Sequence, residues 1–320
     1  MKNKTIQYIA GICVVLALVA GITLMFVSDD DDLVHINVGH REHVSYMPYY
    51  IALENGLFDE YGLTVRDATF ETTNQMLSAI VAGHIDVVFS GANLEVAFSL
   101  EEKFPESLYV FTTLDVSSET GITCVMVHVD SDIMSLSDVR GKNTATLSGT
   151  FSPIWVNFAL KSVGLSLEDV TIQGMSPGLQ LGALESKQVD VLFTVEPVCT
   201  FGVNRGVGKI IYNEPLQHLG TSLTASVMSR DFVTQHPDIS EKLITINDKA
   251  IDFIRENPDE ALSIMAKHTG YREDLIVGMK VPVFSKSSEV HVQNLQTLAN
   301  TFFEEGILEK KIDVAGMVLG

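Results

Sequence analysis

The sequence predicts an α/β protein of two similar lobes that face each other across a cleft. Three observations predict it. A helix-then-strand pattern occurs twice, 104 positions apart: Gln75-Met76-Leu77-Ser78-Ala79-Ile80 leads into Ile85-Asp86-Val87-Val88-Phe89-Ser90, and Leu179-Gln180-Leu181-Gly182-Ala183-Leu184 leads into Val189-Asp190-Val191-Leu192-Phe193-Thr194. In both copies an apolar stripe at helical spacing precedes a short buried strand that ends in a hydroxyl residue. Pro48, Ala52-Leu53 and Tyr61-Gly62-Leu63 are echoed, with some drift in spacing, by Pro153, Ala159-Leu160 and Val163-Gly164-Leu165. Open α/β sheets bind ligands beyond the carboxyl ends of their strands, so two such lobes enclose a site between them.

The elements follow in order. Leu33 to Val38 reads as the first strand, ended by Gly39, and the loop His40 to Met47 feeds a helix that starts at Pro48, where a missing N–H costs nothing. Gly56 suits the helix end. Leu63 to Thr69 is a strand, and Thr72 with Gln75 has the spacing of a capping box before a helix closed by Gly83. Ile85 to Phe89, Leu108 to Leu114 and Gly121 to His128 are further strands, the last a crossing between lobes. In the second lobe Asn143 to Leu147 is a strand. Ser152 and Pro153 are read as N-cap and first residue of a helix that Gly164 ends. Val170 to Gln173, Val189 to Phe193 and Lys209 to Tyr212 are strands, and Ser222 to Met228 lies in the return crossing. From Asp238 onward the chain reads as mainly helical, with a start at Pro258 and stops at Gly270 and Gly306. The expected division is 1–32, 33–123, 124–222 and 223–320, the last segment returning to the first lobe.

Composition narrows the function. The apolar fraction of 46% and charged fraction of 19% are those of a globular chain with a large core. Setting aside Asp29 to Asp32 among the 41 acidic residues, and Lys2 and Lys4 among the 21 basic ones, leaves 37 against 19, a net charge of −18. Such a surface repels nucleic acid and anionic lipid, so neither is an expected partner. An anionic ligand would need local positive groups. Only Cys124 and Cys199 lie beyond the amino-terminal segment, which allows at most one bridge.

Lys2 and Lys4 precede an apolar run from Ile9 to Val27, and Asp29 to Asp32 follow it. About nineteen apolar residues at ~1.5 Å each nearly span a hydrocarbon core of ~30 Å. The charge asymmetry puts the amino terminus in the cytoplasm and the remainder outside. The expectation is an uncleaved transmembrane anchor. A cleaved signal peptide is the alternative, because Leu18-Val19-Ala20 loosely fits a cleavage site.

With these elements placed, Pro48-Tyr49-Tyr50-Ile51-Ala52-Leu53-Glu54-Asn55-Gly56-Leu57-Phe58, Tyr61-Gly62-Leu63, Gly83-His84-Ile85-Asp86 and Glu196-Pro197 carry a resemblance. The chain resembles the substrate-binding proteins of ABC importers, in the nitrate, sulfonate, taurine and thiamine-precursor group, from about Leu33 to the end. The resemblance implies a two-lobed periplasmic-binding fold of type II and an extracytoplasmic receptor that hands a small solute to a permease and its ATPase. Its relatives that bind sulfonate or nitrate place a segment like Ser148 to Pro153 in the cleft.

The candidate ligand residues are His40, Arg41, Tyr46, Ser90, Gly91, Gly149, Thr150, Phe151, Ser152 and Glu196. Gly149 to Ser152 lead into a helix N-terminus, where unpaired N–H groups and partial positive charge favour an anion. Arg41, in the loop after the first strand, offers a planar fork to an oxyanion. Ser90-Gly91 and Glu196 sit at equivalent strand ends, and Tyr46, Phe151 and Trp155 suit a ring. His35, His40 and His43 lack a third ligand at metal spacing, so no metal or other cofactor is expected. No Gly-x-Ser-x-Gly, His-Glu-x-x-His or glycine-rich phosphate loop is present, which argues against an enzyme although biosynthetic enzymes on the same fold are the third reading. An anionic solute of the nitrate, sulfonate or taurine type is expected, with a ring-bearing thiamine or pyrimidine precursor as the alternative.

Overall fold

The computed structural model describes residues 34–116, 121–220 and 222–319. The anchor expected over Ile9 to Val27 lies outside them. Among the described residues no helix is long and apolar enough to cross a membrane.

The first lobe begins with β1 (Val34–His40), α1 (Met47–Glu54), α2 (Leu57–Glu60), β2 (Leu63–Thr69), α3 (Thr73–Val81), β3 (Val87–Asn93), α4 (Leu94–Lys103) and β4 (Leu108–Asp115). The second contains β5 (Thr123–His128), β6 (Asn143–Thr146), α5 (Phe151–Lys161), β7 (Thr171–Gly174), α6 (Pro177–Glu185), β8 (Val191–Val195), α7 (Val198–Asn204) and β9 (Gly208–Asn213). The chain then returns through β10 (Ser222–Ser229), α8 (Arg230–Gln235), α9 (Pro237–Glu256), α10 (Pro258–Thr269), α11 (Glu273–Ile276), β11 (Val283–Ser285) and α12 (Val292–Glu304).

Two sheets result. One has six strands in the order β11-β4-β10-β3-β1-β2, the other five in the order β7-β6-β8-β5-β9. In each, the repeated helix–strand unit forms parallel pairs: β1 with β2 and β3, and β6 with β7 and β8. The returning β10 inserts antiparallel between β3 and β4, so the first sheet is completed only after the second lobe has been made. The chain leaves the first sheet at Asp115 and joins the second at Thr123, and it goes back between Asn213 and Ser222.

Period-two alternation organises the second lobe. Val125 and Val127 of β5 belong to the main apolar cluster with Trp155, Val156 and Leu160 of α5. Cys124 and Met126 point the other way, into a second cluster with Leu181, Leu184 and Cys199. Cys124 and Cys199 are joined by a disulfide that ties β5 to α7, with Cα atoms 6.1 Å apart.

Two local readings are corrected. Strand β3 does not stop near Phe89 but runs to Asn93, because Ser90 to Asn93 are held against β10. Helix α5 starts at Phe151 with Thr150 as its N-cap, so Ser152 is inside the first turn and Pro153 is its third residue. Proline is still tolerated there, since the first turn's N–H groups have no helical acceptor. The carboxyl-terminal segment also contributes a strand, β11, beside β4.

Candidate functional site

The loops after β1 and β6 and the carboxyl ends of β3 and β8 line one cleft between the lobes. The first lobe supplies Arg41, His43, Ser45 and Tyr46 from the loop after β1, Thr72 to Asn74 from the start of α3, and Gly91 and Asn93 from β3. Facing them, the second lobe supplies Leu147 to Ser152 and Trp155 from the β6–α5 connection and α5, with Pro177 and Val195. Asn74 Nδ2 donates to Thr150 Oγ1 at 3.4 Å and Thr150 Oγ1 donates to Glu95 Oε2 at 3.2 Å, so the lobes touch across the mouth.

The electrostatics favour an anion without much formal charge. Arg41 is the one ordinarily charged side chain among the described residues lining the cleft. Helices α3, α5 and α6 all present their first residues to it, and each N-terminus carries partial positive charge. Thr150 makes no side-chain cap to α5, and Gly149 has φ of 121°, a conformation that a side chain would strain.

His43 is neutral here. Its Nδ1 accepts the Ser45 N–H at 3.2 Å, which leaves the ring hydrogen on Nε2. Burial, and then the charge of Arg41, push its pKa down to about 3. Nε2 is buried and unpartnered, as are Thr73 Oγ1 and Thr224 Oγ1 in the same cleft wall. Three buried donors without acceptors, beside an arginine, are complementary to an oxyanion. Part of the wall is apolar, formed by Ile122, Leu147, Phe151, Trp155, Val195 and Leu216, and it alternates with polar side chains such as Asn74, Asn93 and Ser152.

The expected site residues divide. Arg41, Tyr46, Gly91, Gly149, Thr150, Phe151 and Ser152 line the cleft. Tyr46 donates its hydroxyl to Gly91 O at 3.0 Å, so it offers the cleft a ring rather than a donor. His40, Ser90 and Glu196 are not among the residues that line it. The His40 ring packs near Tyr46, Tyr49 and Tyr50, and its Nε2 meets Asp67 Oδ2 at 3.0 Å. Ser90 is fully buried at φ of 61°, with its N–H donating to Ser226 Oγ at 2.7 Å. Glu196 turns away from the cleft and accepts the Thr200 N–H at 3.0 Å and its hydroxyl at 2.9 Å, an N-terminal cap on α7. Sequence reasoning missed Thr73, Asn74 and Thr224. The helix-start signal at Thr72 could have found the α3 group, because in the 104-residue repeat it corresponds to the start of α6, whose Pro177 also lines the cleft.

The two sheets and the cleft between them define a two-lobed periplasmic-binding fold. The chain belongs to the NMT1/THI5 like family, whose model matches residues 43–261. Over 221 residues it is 24% identical to a Brucella abortus protein named as a binding protein, a match that covers 68% of this chain and 66% of that one. It is also 24% identical to a Bacillus subtilis protein named for aliphatic sulfonate binding, with 91% of this chain and 87% of that one covered. Among solved structures, the periplasmic aliphatic sulphonate binding protein of Escherichia coli superposes with a TM-score of 0.73 at 16% identity, over 89% of this chain and 97% of that one. The periplasmic nitrate-binding protein of Synechocystis gives 0.70 at 14% identity, over 90% and 86%. At these identities the structural likeness establishes the fold.

Proposed function

We propose that this protein is the solute receptor of an ABC importer, held at the outer face of the membrane by the segment Ile9 to Val27, which closes on a small organic monoanion and presents it to a permease and its ATPase. The observation that carries this is the set of buried, unpartnered groups in the cleft that Arg41 also lines: His43 Nε2, Thr73 Oγ1 and Thr224 Oγ1. One formal positive charge suits one negative charge. The apolar wall formed by Phe151, Trp155 and Leu216 suits an alkyl or aryl body, which favours a sulfonate over bare nitrate. The sulfonate-binding names among the relatives support the same class. No group in the cleft is required to do chemistry on the ligand.

Thermal unfolding of the full-length chain against methanesulfonate, longer alkanesulfonates, taurine, nitrate, sulfate and a pyrimidine precursor tests this. A ligand at ~100 times its dissociation constant stabilises the fold by ~2.7 kcal/mol. The expected result is a selective shift with sulfonates that Arg41→Ala abolishes. A shift with the pyrimidine alone would overturn the anion reading and leave the receptor reading in place.

A further inference from the structure

Glu95 lies in the first turn of α4, is 7% exposed and belongs to the first lobe, yet its hydrogen-bond partner is Thr150 of the second. Apart from Glu101, Glu102 and Lys103 at the far end of its own helix, few charges surround it. Helix α4 packs on α3, β3, β10 and α12. The first three carry no ionisable side chain, and α12 carries only Glu304 at its end. From the facing lobe, the loop Leu147 to Thr150 has none and α5 has only Lys161 in its last turn. The charge that acts on Glu95 is that of Lys103, at the far end of its own helix. In the cleft wall Arg41 acts instead on His43 and Tyr46.

Thr150 has one hydroxyl hydrogen. With Glu95 ionised, that hydrogen goes to Oε2 while Asn74 Nδ2 donates to the oxygen, so Thr150 has nothing left to donate to an anion in the cleft it lines. A carboxylate behind the hydroxyl also opposes the approach of a negative ligand. A neutral carboxyl reverses both effects.

We propose that Glu95 is a positioning residue that couples capture to a proton: the closed, anion-loaded protein holds it as the neutral acid, whose O–H donates to Thr150 Oγ1 and releases the Thr150 hydrogen to the anion. One proton is taken from solvent for each closure and returned on opening, and no bond between heavy atoms changes. The proposal depends on the capture reading only for the nature of the ligand. Burial, the largest effect on this carboxyl, raises its pKa, and the Thr150 hydrogen bond and Lys103 offset only part of that. In the open state the carboxyl is free of the second lobe and titrates nearer the ordinary range. Closure therefore takes up a proton between the two values, and affinity for the anion increases as pH falls through that window, by at most about tenfold per pH unit.

Trp155 is the chain's single tryptophan and lines the cleft, so acrylamide quenching of its fluorescence reports closure in the full-length chain without any ligand. Quenching is followed from about pH 8 to about pH 4.5 in the wild type, Glu95→Gln and Thr150→Val, since linkage acts between the two pKa values. Methanesulfonate, which stays ionised throughout, is then titrated calorimetrically in two buffers of different ionisation enthalpy to count protons. The expected result is quenching that weakens with acid in the wild type and stays low and constant in Glu95→Gln, whose amide is neutral and donates to Thr150 at every pH. Methanesulfonate binding should take up protons in the wild type, none in Glu95→Gln, and be weak and flat with pH in Thr150→Val. Wild-type quenching and proton uptake that ignore pH, or a pH slope that survives Glu95→Gln, overturn the proposal. Quenching that follows pH through Glu95 while methanesulfonate fails to bind leaves the proton coupling standing and overturns the sulfonate reading instead.

Discussion

The ring of Tyr46 lies across Gly91 so closely that a Cβ on that glycine would fall 2.0 Å from Cζ, while the tyrosine hydroxyl donates to the Gly91 carbonyl at 3.0 Å. The contact joins the loop after β1 to the end of β3 and fixes the floor of the first lobe's half of the cleft. Both partners are buried or nearly so, and the ring has no room to retreat. Gly91→Ala should therefore destabilise the chain by about 1–3 kcal/mol, the usual cost of overpacking, and should also abolish the ligand-induced shift. Urea unfolding measures the first and thermal unfolding with methanesulfonate the second; a variant as stable as wild type would refute the packing argument.

Arg41 is the one ordinarily charged group among the described residues lining the cleft. Hydrogen bonds to charged groups contribute about 1.5–3 kcal/mol, so Arg41→Ala should weaken sulfonate binding by roughly ten- to hundredfold. Arg41→Lys should recover only part, because a point charge lacks the planar fork. Calorimetric titration distinguishes the two variants.

His43 has a pKa pushed down to about 3 from 6.5 by burial and by Arg41. Its folded value lies below its unfolded one, so the unfolded state binds the proton more readily. The stability it contributes is complete above pH 6.5 and declines as pH falls toward about 3, by up to roughly 1.4 kcal/mol per unit. His43→Asn, which keeps an acceptor for the Ser45 N–H, should flatten this limb of the stability profile. Sulfonate affinity should show no inflection near pH 6.5 attributable to this ring, since it stays a neutral donor.

The Cys124–Cys199 bridge closes a sequence separation of 75 residues. The chain-entropy model gives about 4.5 kcal/mol for a loop of that size. Replacing both cysteines by alanine should lower stability by an amount of that order while leaving the cleft residues in place, because the bridge ties β5 to α7 on the face of the second sheet away from α5. Denaturant unfolding of the oxidised protein and of the double variant checks it.

Much of the scaffold was legible in local pattern. Strand β2 is found over Leu63 to Thr69 as expected, Thr72 accepts the Gln75 N–H at 3.3 Å, and Gly56, Gly164, Gly270 and Gly306 all sit at positive φ at helix boundaries. These features depend on a few consecutive residues. The errors arose where a distant segment decided the outcome. Ser90 looked like a strand-end hydroxyl, but Ser226, 136 positions away, takes its N–H and buries it. His40 looked like a loop residue at the cleft mouth, but the strand continues through it and Asp67 of the neighbouring strand holds the ring.

By itself, the sequence determined the two α/β lobes, the parallel repeat in each, and the positions at which the chain turns back, because hydrophobic period, capping and glycine placement are short-range properties. It also carried the acidic background against which an anionic ligand would need local positive groups. The tertiary structure alone decided which hydroxyls are free for a ligand and which are already spent. Tyr46 is spent on Gly91 and Thr150 on Glu95, whereas Thr73, Thr224 and His43 Nε2 are left open. A side chain's hydrogen-bonding capacity is written in the sequence, but its partners are set by which lobe closes over it, and that depends on contacts between residues far apart in the chain.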